Sequence, residues 1–464
     1  MQLILPPAPT SQENFGDIDA LKNIALVIDG DPERGEPAKK RRAFVSISYD
    51  AASRTPALEK PVWSSGPLTG VTNDMAAWEK WFRATGILTM PPDSGNPAAN
   101  VLAAIDSSVP VIKELAASTG RPSSQFTPVP AERNWSGLLV AHPTPFFSDV
   151  QNAVNLLRLR AVAAAHANDG KAATESLIAM SRLAEAAGHE PFLIGHLVSI
   201  TLTSIMHTAL WEGLKLRVFS ADELQELTEC LLRYHGRELL LYASRTEMLA
   251  GLNAVEQLKA NRNQAIPIRA SSSVSAIPHV GSFLPSGWFD QNASKLVSLE
   301  WEHVLKPLRE GTLRSAAVEA EKLQTMFGRT KLLSPQLSHP FAHLVLPVWK
   351  TVIEKSAATQ SINDLALASV ALERYFARHQ KYPTTLSELT PEFLPAPPQD
   401  GLDGSPLYYR QTEDGRCIIW AVGFDGVDDG GESTPDDSSG KLRSYQRRLD
   451  YKGDWVWRYS LVKP

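Results

Sequence analysis

Cysteine is scarce in this chain, with only Cys230 and Cys417 in 464 residues. A disulfide framework and any four-cysteine zinc site are therefore excluded. A surplus of positive charge is missing as well. A formal net charge of −5 and a pI of about 6.2 argue against a general nucleic-acid binder, which needs a basic surface. There is no Walker-type phosphate loop, no Gly-x-Gly-x-x-Gly, no Gly-x-Ser-x-Gly elbow and no Cys-x-x-Cys, so the common nucleotide, serine-hydrolase and redox signatures are absent. The opening Met-Gln-Leu-Ile-Leu-Pro-Pro-Ala-Pro has neither a charged start nor an apolar run long enough for a signal peptide. Two readings stay open: a cytoplasmic protein, or one whose export signal or anchor lies outside this chain. Any membrane association is expected only through such an outside segment.

Apolar residues make up 43% of the chain and charged residues 21%, ordinary values for a globular protein with a real core. The longest charge-free stretch in the middle region runs from Pro191 to Trp211. Its length would nearly span a bilayer. The polar residues within it, among them His196, Ser199, Thr203, Ser204 and His207, instead predict a helix packed by neighbours.

Residues 1–148 read as an irregular cover, with a strand over Arg42–Tyr49 and helices over Asn73–Arg83 and Ala98–Ser118. From Asp149 the period becomes helical. Ala173, Leu177, Met180, Ala184 and Ala187 recur at steps of four and three, which places them on one helix face. Asp169-Gly170 separates this helix from one carrying Leu156, Leu157, Leu159 and Ala163, so a helical hairpin is expected. Ser220-Ala-Asp-Glu223 has the form of a capping box for a further helix through Leu224, Leu227 and Leu231. Residues 264–294 read as a long excursion, and helical pattern then returns over Leu296–Phe327 and again up to Gln380. After Tyr382-Pro383 the pattern shifts to short strands, at Leu407–Arg410, Arg416–Val422 and Trp455–Leu461. Glu413-Asp414-Gly415 forms the turn between the first two.

Histidine pairs invite a metal reading and do not sustain it. His189-Glu190 lies seven residues before His196 rather than at zinc-protease spacing, and Pro191 starts a new helix between them. His339 and His343 are four apart, but Pro340 interrupts and no carboxylate completes the set. Both pairs are read as structural. Acidity is concentrated elsewhere. Residues 387–440 hold twelve acidic and two basic residues, a balance of −10 within a chain of −5. Inside it, Asp425, Asp428 and Asp429 sit among glycines that permit sharp turns. These are hard oxygen donors close in sequence, either a cation site or a solvated acidic loop.

The stretch from Leu372 to Trp457 carries, in order, Tyr375, Gln380-Lys-Tyr-Pro383, Leu386-Ser-Glu-Leu389, Phe393-Leu-Pro395, Asp400-Gly-Leu-Asp-Gly404, Val422-Gly-Phe-Asp-Gly426 and Gly453-Asp454-Trp455. It resembles the C-terminal domain of the major pseudopilin of type II secretion systems. The resemblance covers about a fifth of the chain. In that family a calcium ion holds the terminal loops, which implies Asp425 with Asp428 or Asp429 as ligands here and Asp454 as a further candidate. A pseudopilin also has a membrane helix directly before this domain, whereas here several hundred mixed residues precede it, so a standard pilus subunit is not expected.

The expected fold is mostly α: an irregular cover (1–148), an α-helical domain (149–350), and a long helix with a small α+β pseudopilin-like domain (351–464). The expected function is a non-enzymatic, envelope-associated binding or structural protein with a calcium-stabilised tail, with a protein as the candidate partner and no nucleic acid. The alternatives are a hydrolase with its site between cover and body, or a metal-free helical scaffold.

Overall fold

The computed structural model describes residues 12–15, 60–63, 66–67, 70–109, 111–124, 126, 145–190, 192–260, 266–270, 273–277, 284–328, 342, 346–432 and 453–459. The strand expected over 42–49 and the pair His339 and His343 lie outside them.

The first helix, α1 (Met75–Thr85), starts where the Asp74 carboxylate accepts from the Ala77 amide at 3.0 Å, and stops at Gly86 with φ 64°. Its inner face is aromatic: Trp78, Trp81 and Phe82 are fully buried, with Trp78 stacked on Phe82 at 5.8 Å. The single helix expected over 98–118 is two, α2 (Pro97–Ser108) and α3 (Val111–Ala117). Val109 has left the helix, at φ −134° and ψ 69°. The cause is the proline that follows it, which lacks an N–H and disfavours helical backbone in the preceding residue.

The body opens with the expected hairpin, α4 (Pro145–His166) and α5 (Gly170–Gly188), with Asp169 capping α5 through the Ala172 amide at 3.0 Å. Ala173, Leu177, Met180, Ala184 and Ala187 are all buried on the predicted face. Next come α6 (Leu193–Leu216), α7 (Ala221–Leu232) and α8 (Gly236–Ala260). Both bonds of the Ser220–Glu223 capping box are present. Where an excursion was expected, two strands, β1 (Ile266–Ala270) and β2 (Ser273–Ile277), pair antiparallel, and α9 (Ser286–Glu300) begins before residue 294. The alternation in Ser-Val-Ser-Ala-Ile is a period-two signal, and Pro285 marks the helix start. A π-helical turn, Trp301–Leu305, leads from α9 into α10 (Lys306–Glu310), and α11 (Leu313–Gly328) follows the break at Gly311.

By length and composition α6 could cross a membrane; 61% of its most apolar window is buried inside the protein. It packs against α4, α5, α8 and the 31-residue α12 (Trp349–His379). Leu193, Ile200 and Trp211 are buried, and Leu197 and Ser204 half-buried. Its two inner histidines face α12: His196 Nε2 lies 3.1 Å from Ser356 Oγ, and His207 Nε2 lies 3.2 Å from Asn363 Oδ1. Burial pushes their pKa values down to about 3 and about 4. Both are therefore neutral core residues.

The tail is an antiparallel sheet in the order β3 (Tyr408–Gln411), β4 (Cys417–Ala421), β5 (Trp455–Arg458). Every residue of the central β4 is buried, and Ile419 pairs with Tyr409 on one side and Trp457 on the other. The fold is thus mostly helical with one small three-stranded sheet near its C-terminal end, as the sequence predicts. The sheet packs on α12 and is wired to the body. Trp211 Nε1 donates to the Arg458 carbonyl at 2.8 Å, and Arg416 Nη2 to the Lys215 carbonyl at 2.8 Å.

Candidate metal site

The acidic loop leaves β4 and turns through Gly423, Gly426, Gly430 and Gly431, all with positive φ. The last two have φ of 73° and 79°, a left-handed pair that side-chain-bearing residues rarely adopt. At Gly431 a Cβ would also stand 3.1 Å from the Trp420 ring. This double turn folds the loop back so that Gly431 N donates to Asp454 Oδ2 at 2.7 Å, across 23 residues of chain.

Each of the four predicted ligands has a distinct position. Asp425 accepts from Val427 N at 3.1 Å and from Gly453 N at 3.0 Å, so one carboxylate ties the loop to the segment entering β5. Asp428 Oδ1 accepts from Trp420 Nε1 and from Gly430 N, both at 2.9 Å. Asp429 is exposed. Asp454 is fully buried, and its Oδ1 has no hydrogen-bond partner among the described residues. Burial, and then the charges of Asp428 and Asp429, push the Asp454 carboxyl up to about 6, while the backbone N–H groups of Gly431 and Asp429 pull the other way. The loop therefore brings Asp428, Asp429 and Asp454 within electrostatic reach, and Asp425 fixes the two chain segments that carry them. Among the described residues no three acidic, histidine or cysteine side chains already converge as a metal cage.

Sequence reasoning missed the cation that does hold this loop. Arg314 on α11 donates from Nη1 to the Phe424 carbonyl at 2.6 Å and from Nη2 to the Gly423 carbonyl at 2.7 Å, while its Nε pairs with Asp403 at 2.8 Å. Two of the loop carbonyls are thus occupied by a guanidinium. Arg314 is 89 residues from Asp403. Only the Asp-Gly-Leu-Asp-Gly turn at 400–404 hinted that this segment needed a basic partner.

A second polar cluster lies between the N-terminal segment and the body. Glu212, fully buried on α6, accepts from Asn73 N at 2.7 Å and Asn73 Nδ2 at 2.6 Å, and its Oε1 lies 2.7 Å from His166 Nε2. Nothing in the local pattern around His166 marks it, because its partners are 46 or more residues away. No known protein family, curated protein or solved structure matches the chain.

Proposed function

We propose that this is a non-enzymatic, envelope-associated binding or structural protein whose pseudopilin-like tail is held by a structural calcium ion. Asp454 Oδ1 carries this reading: a buried carboxylate oxygen without a partner, close to two further carboxylates. Such an atom is costly to leave unmet, and hard oxygen donors are what calcium selects. The proposed ligands are Asp454 with Asp428 and Asp429, with Asp425 holding loop and strand together. Calcium takes about six to eight oxygens, so backbone carbonyls and water complete the shell. Because the acidic groups repel one another, ion binding and closure of the loop are coupled.

Thermal melting of the full chain in calcium and in chelator tests this. Binding to the folded state alone stabilises it by about 2.7 kcal/mol at a hundredfold excess over the dissociation constant. The expected result is a calcium-dependent rise in Tm that Asp454→Asn removes and Asp425→Asn reduces. A wild-type Tm indifferent to calcium overturns the ion and leaves an acidic loop clamped by Arg314.

One observation favours the hydrolase alternative, the His166–Glu212 contact at the junction of N-terminal segment and body. A carboxylate orienting an imidazole is half of a general-base system. Among the described residues, however, no hydroxyl or thiol hydrogen-bonds to His166. The same contact serves equally to satisfy Glu212. A His166→Gln variant screened on generic ester substrates alongside the wild type separates the two roles.

A further inference from the structure

Five elements of the helical body, α5, α6, α7, α8 and α12, surround a cavity of about 240 Å³ that opens at the turn between α7 and α8. Met206, Leu231 and Leu239 are buried along its inner wall, together with the Thr203 and Tyr234 hydroxyls, which have no hydrogen-bond partner among the described residues. An enclosed apolar cavity of about 150 Å³ admits benzene, so this one has room for a ring and a short chain. At the mouth the chemistry changes. Arg233 is exposed, lines the cavity and makes no ion pair among the described residues. The Tyr242 hydroxyl has no hydrogen-bond partner among them and is not sealed off in the core. Of the two carboxylates on the rim, Glu185 pairs with Arg182 at 2.5 Å, while Glu238 is exposed and 3.7 Å from His235 Nδ1. At the mouth the Arg233 guanidinium and the Tyr242 hydroxyl thus stand over the apolar surface of Met206, Leu231 and Leu239.

We propose that this cavity binds a small arylalkanoic acid, with its ring against Met206, Leu231 and Leu239 and its carboxylate received by Arg233 and Tyr242. A planar guanidinium beside a hydroxyl is a strong carboxylate receptor because both donate to the same anionic head. Cys230 also lines the space. Burial raises its thiol, which disfavours the reactive thiolate. The proposal goes beyond the calcium reading and shares no residue with it.

The test is calorimetric titration of the full chain with 3-phenylpropionate and with its neutral counterpart 3-phenylpropan-1-ol, in calcium and in chelator alike. Phenylpropionate is expected to bind with a dissociation constant on the order of 0.1 mM, which is modest efficiency for a ligand of this size. The alcohol should bind at least tenfold more weakly. Arg233→Gln should erase that difference and Tyr242→Phe should lower it a fewfold. Both side chains reach the surface or the cavity mouth, so their removal should leave the Tm within a few degrees. Leu239→Trp, which fills the slot, should abolish binding. Equal affinity for acid and alcohol, or an Arg233→Gln variant that binds like the wild type, overturns the anion assignment. Absence of binding by both probes at millimolar concentration overturns the site.

Discussion

Two glutamates in the helical body are equally hidden from water and wired in opposite ways. Glu212, near the end of α6, is fully buried and receives two donors from Asn73 and a contact from His166. Glu300, at the end of α9 where the π-helical turn begins, is also fully buried, and neither of its oxygens has a partner among the described residues. Glu247 is close enough to raise its pKa further, and itself accepts from Leu193 N at 3.2 Å, closing the start of α6 in place of an N-cap side chain. The first carboxylate holds segments together through the groups that donate to it. In the second, burial and then the nearby Glu247 push the carboxyl well above its ordinary pKa. Burial alone therefore says nothing about whether an acidic residue stabilises a fold. The count of donors does.

Breaking the well-wired site should give the largest effect. Glu212→Ala leaves the Asn73 donors and His166 in a closed space without their acceptor. A loss of about 3–5 kcal/mol is expected, as for the removal of one partner from a buried polar pair. Urea denaturation measures it, and a loss below about 1 kcal/mol would mean that the network contributes little.

The opposite sign is expected at the other site. Glu300→Met removes a carboxyl that nothing satisfies and keeps the length of the side chain, for a gain of about 1–3 kcal/mol. The gain should grow with pH. Because the folded pKa of Glu300 lies above its unfolded value, its favourable contribution is complete at low pH and fades as pH rises through the folded pKa. Denaturation midpoints at pH 6 and pH 8 that differ equally between variant and wild type would rule out this account.

Asp364 is an intermediate case, with donors on both oxygens, Gln360 Nε2 at 3.0 Å and Gly401 N at 2.8 Å. Burial, with a smaller push from Asp400, still raises it to about 7. The sign is the same: its contribution holds below its unfolded pKa and is lost as pH climbs through about 7, costing about 1 kcal/mol between pH 6 and 8. Asp364→Asn should flatten that part of the pH profile. An unchanged slope would assign it to Glu300 and Asp400 instead.

The smallest effect belongs to a contact that sequence alone reveals. Ser220→Ala removes half of an exposed capping box, at a cost of about 1 kcal/mol or less, read as a shift in the urea midpoint. A larger loss would show that the start of α7 contributes more than its local hydrogen bonds.

That ordering also describes what the sequence made legible. Contacts closed within one turn or one hairpin were visible: the Ser220–Glu223 box, the Asp169 cap, the apolar face from Ala173 to Ala187, and the Glu413-Asp414-Gly415 turn. Each depends on residues three to seven apart, a spacing that periodicity and turn chemistry resolve. The break at Val109 is local as well: Pro110 follows it in the sequence, and a helix over 98–118 overlooks the bias that a proline places on the residue before it. The acidic loop was legible as four aspartates, but not which of them ends with an unmet oxygen. Nor were the Arg314 clamp or the partners of Glu212 legible, since those pairs are 46 to 139 residues apart. A single chain read alone carries no signal at that range.

The bond from Trp211 to the Arg458 carbonyl spans 247 residues, and that separation has a consequence during synthesis. At ribosomal rates of about 5–20 residues per second, the partner of Trp211 arrives about 12–50 s after Trp211 itself. Until then α6, the one described helix apolar enough to enter a bilayer, lacks β5 and α12, two of the surfaces that later cover it. A nascent chain in that interval offers a hydrophobic rod to whatever is nearest, whether chaperone, membrane or a second nascent chain. The last-made strand of the tail is therefore also the moment at which the first-made half of the body stops being adhesive.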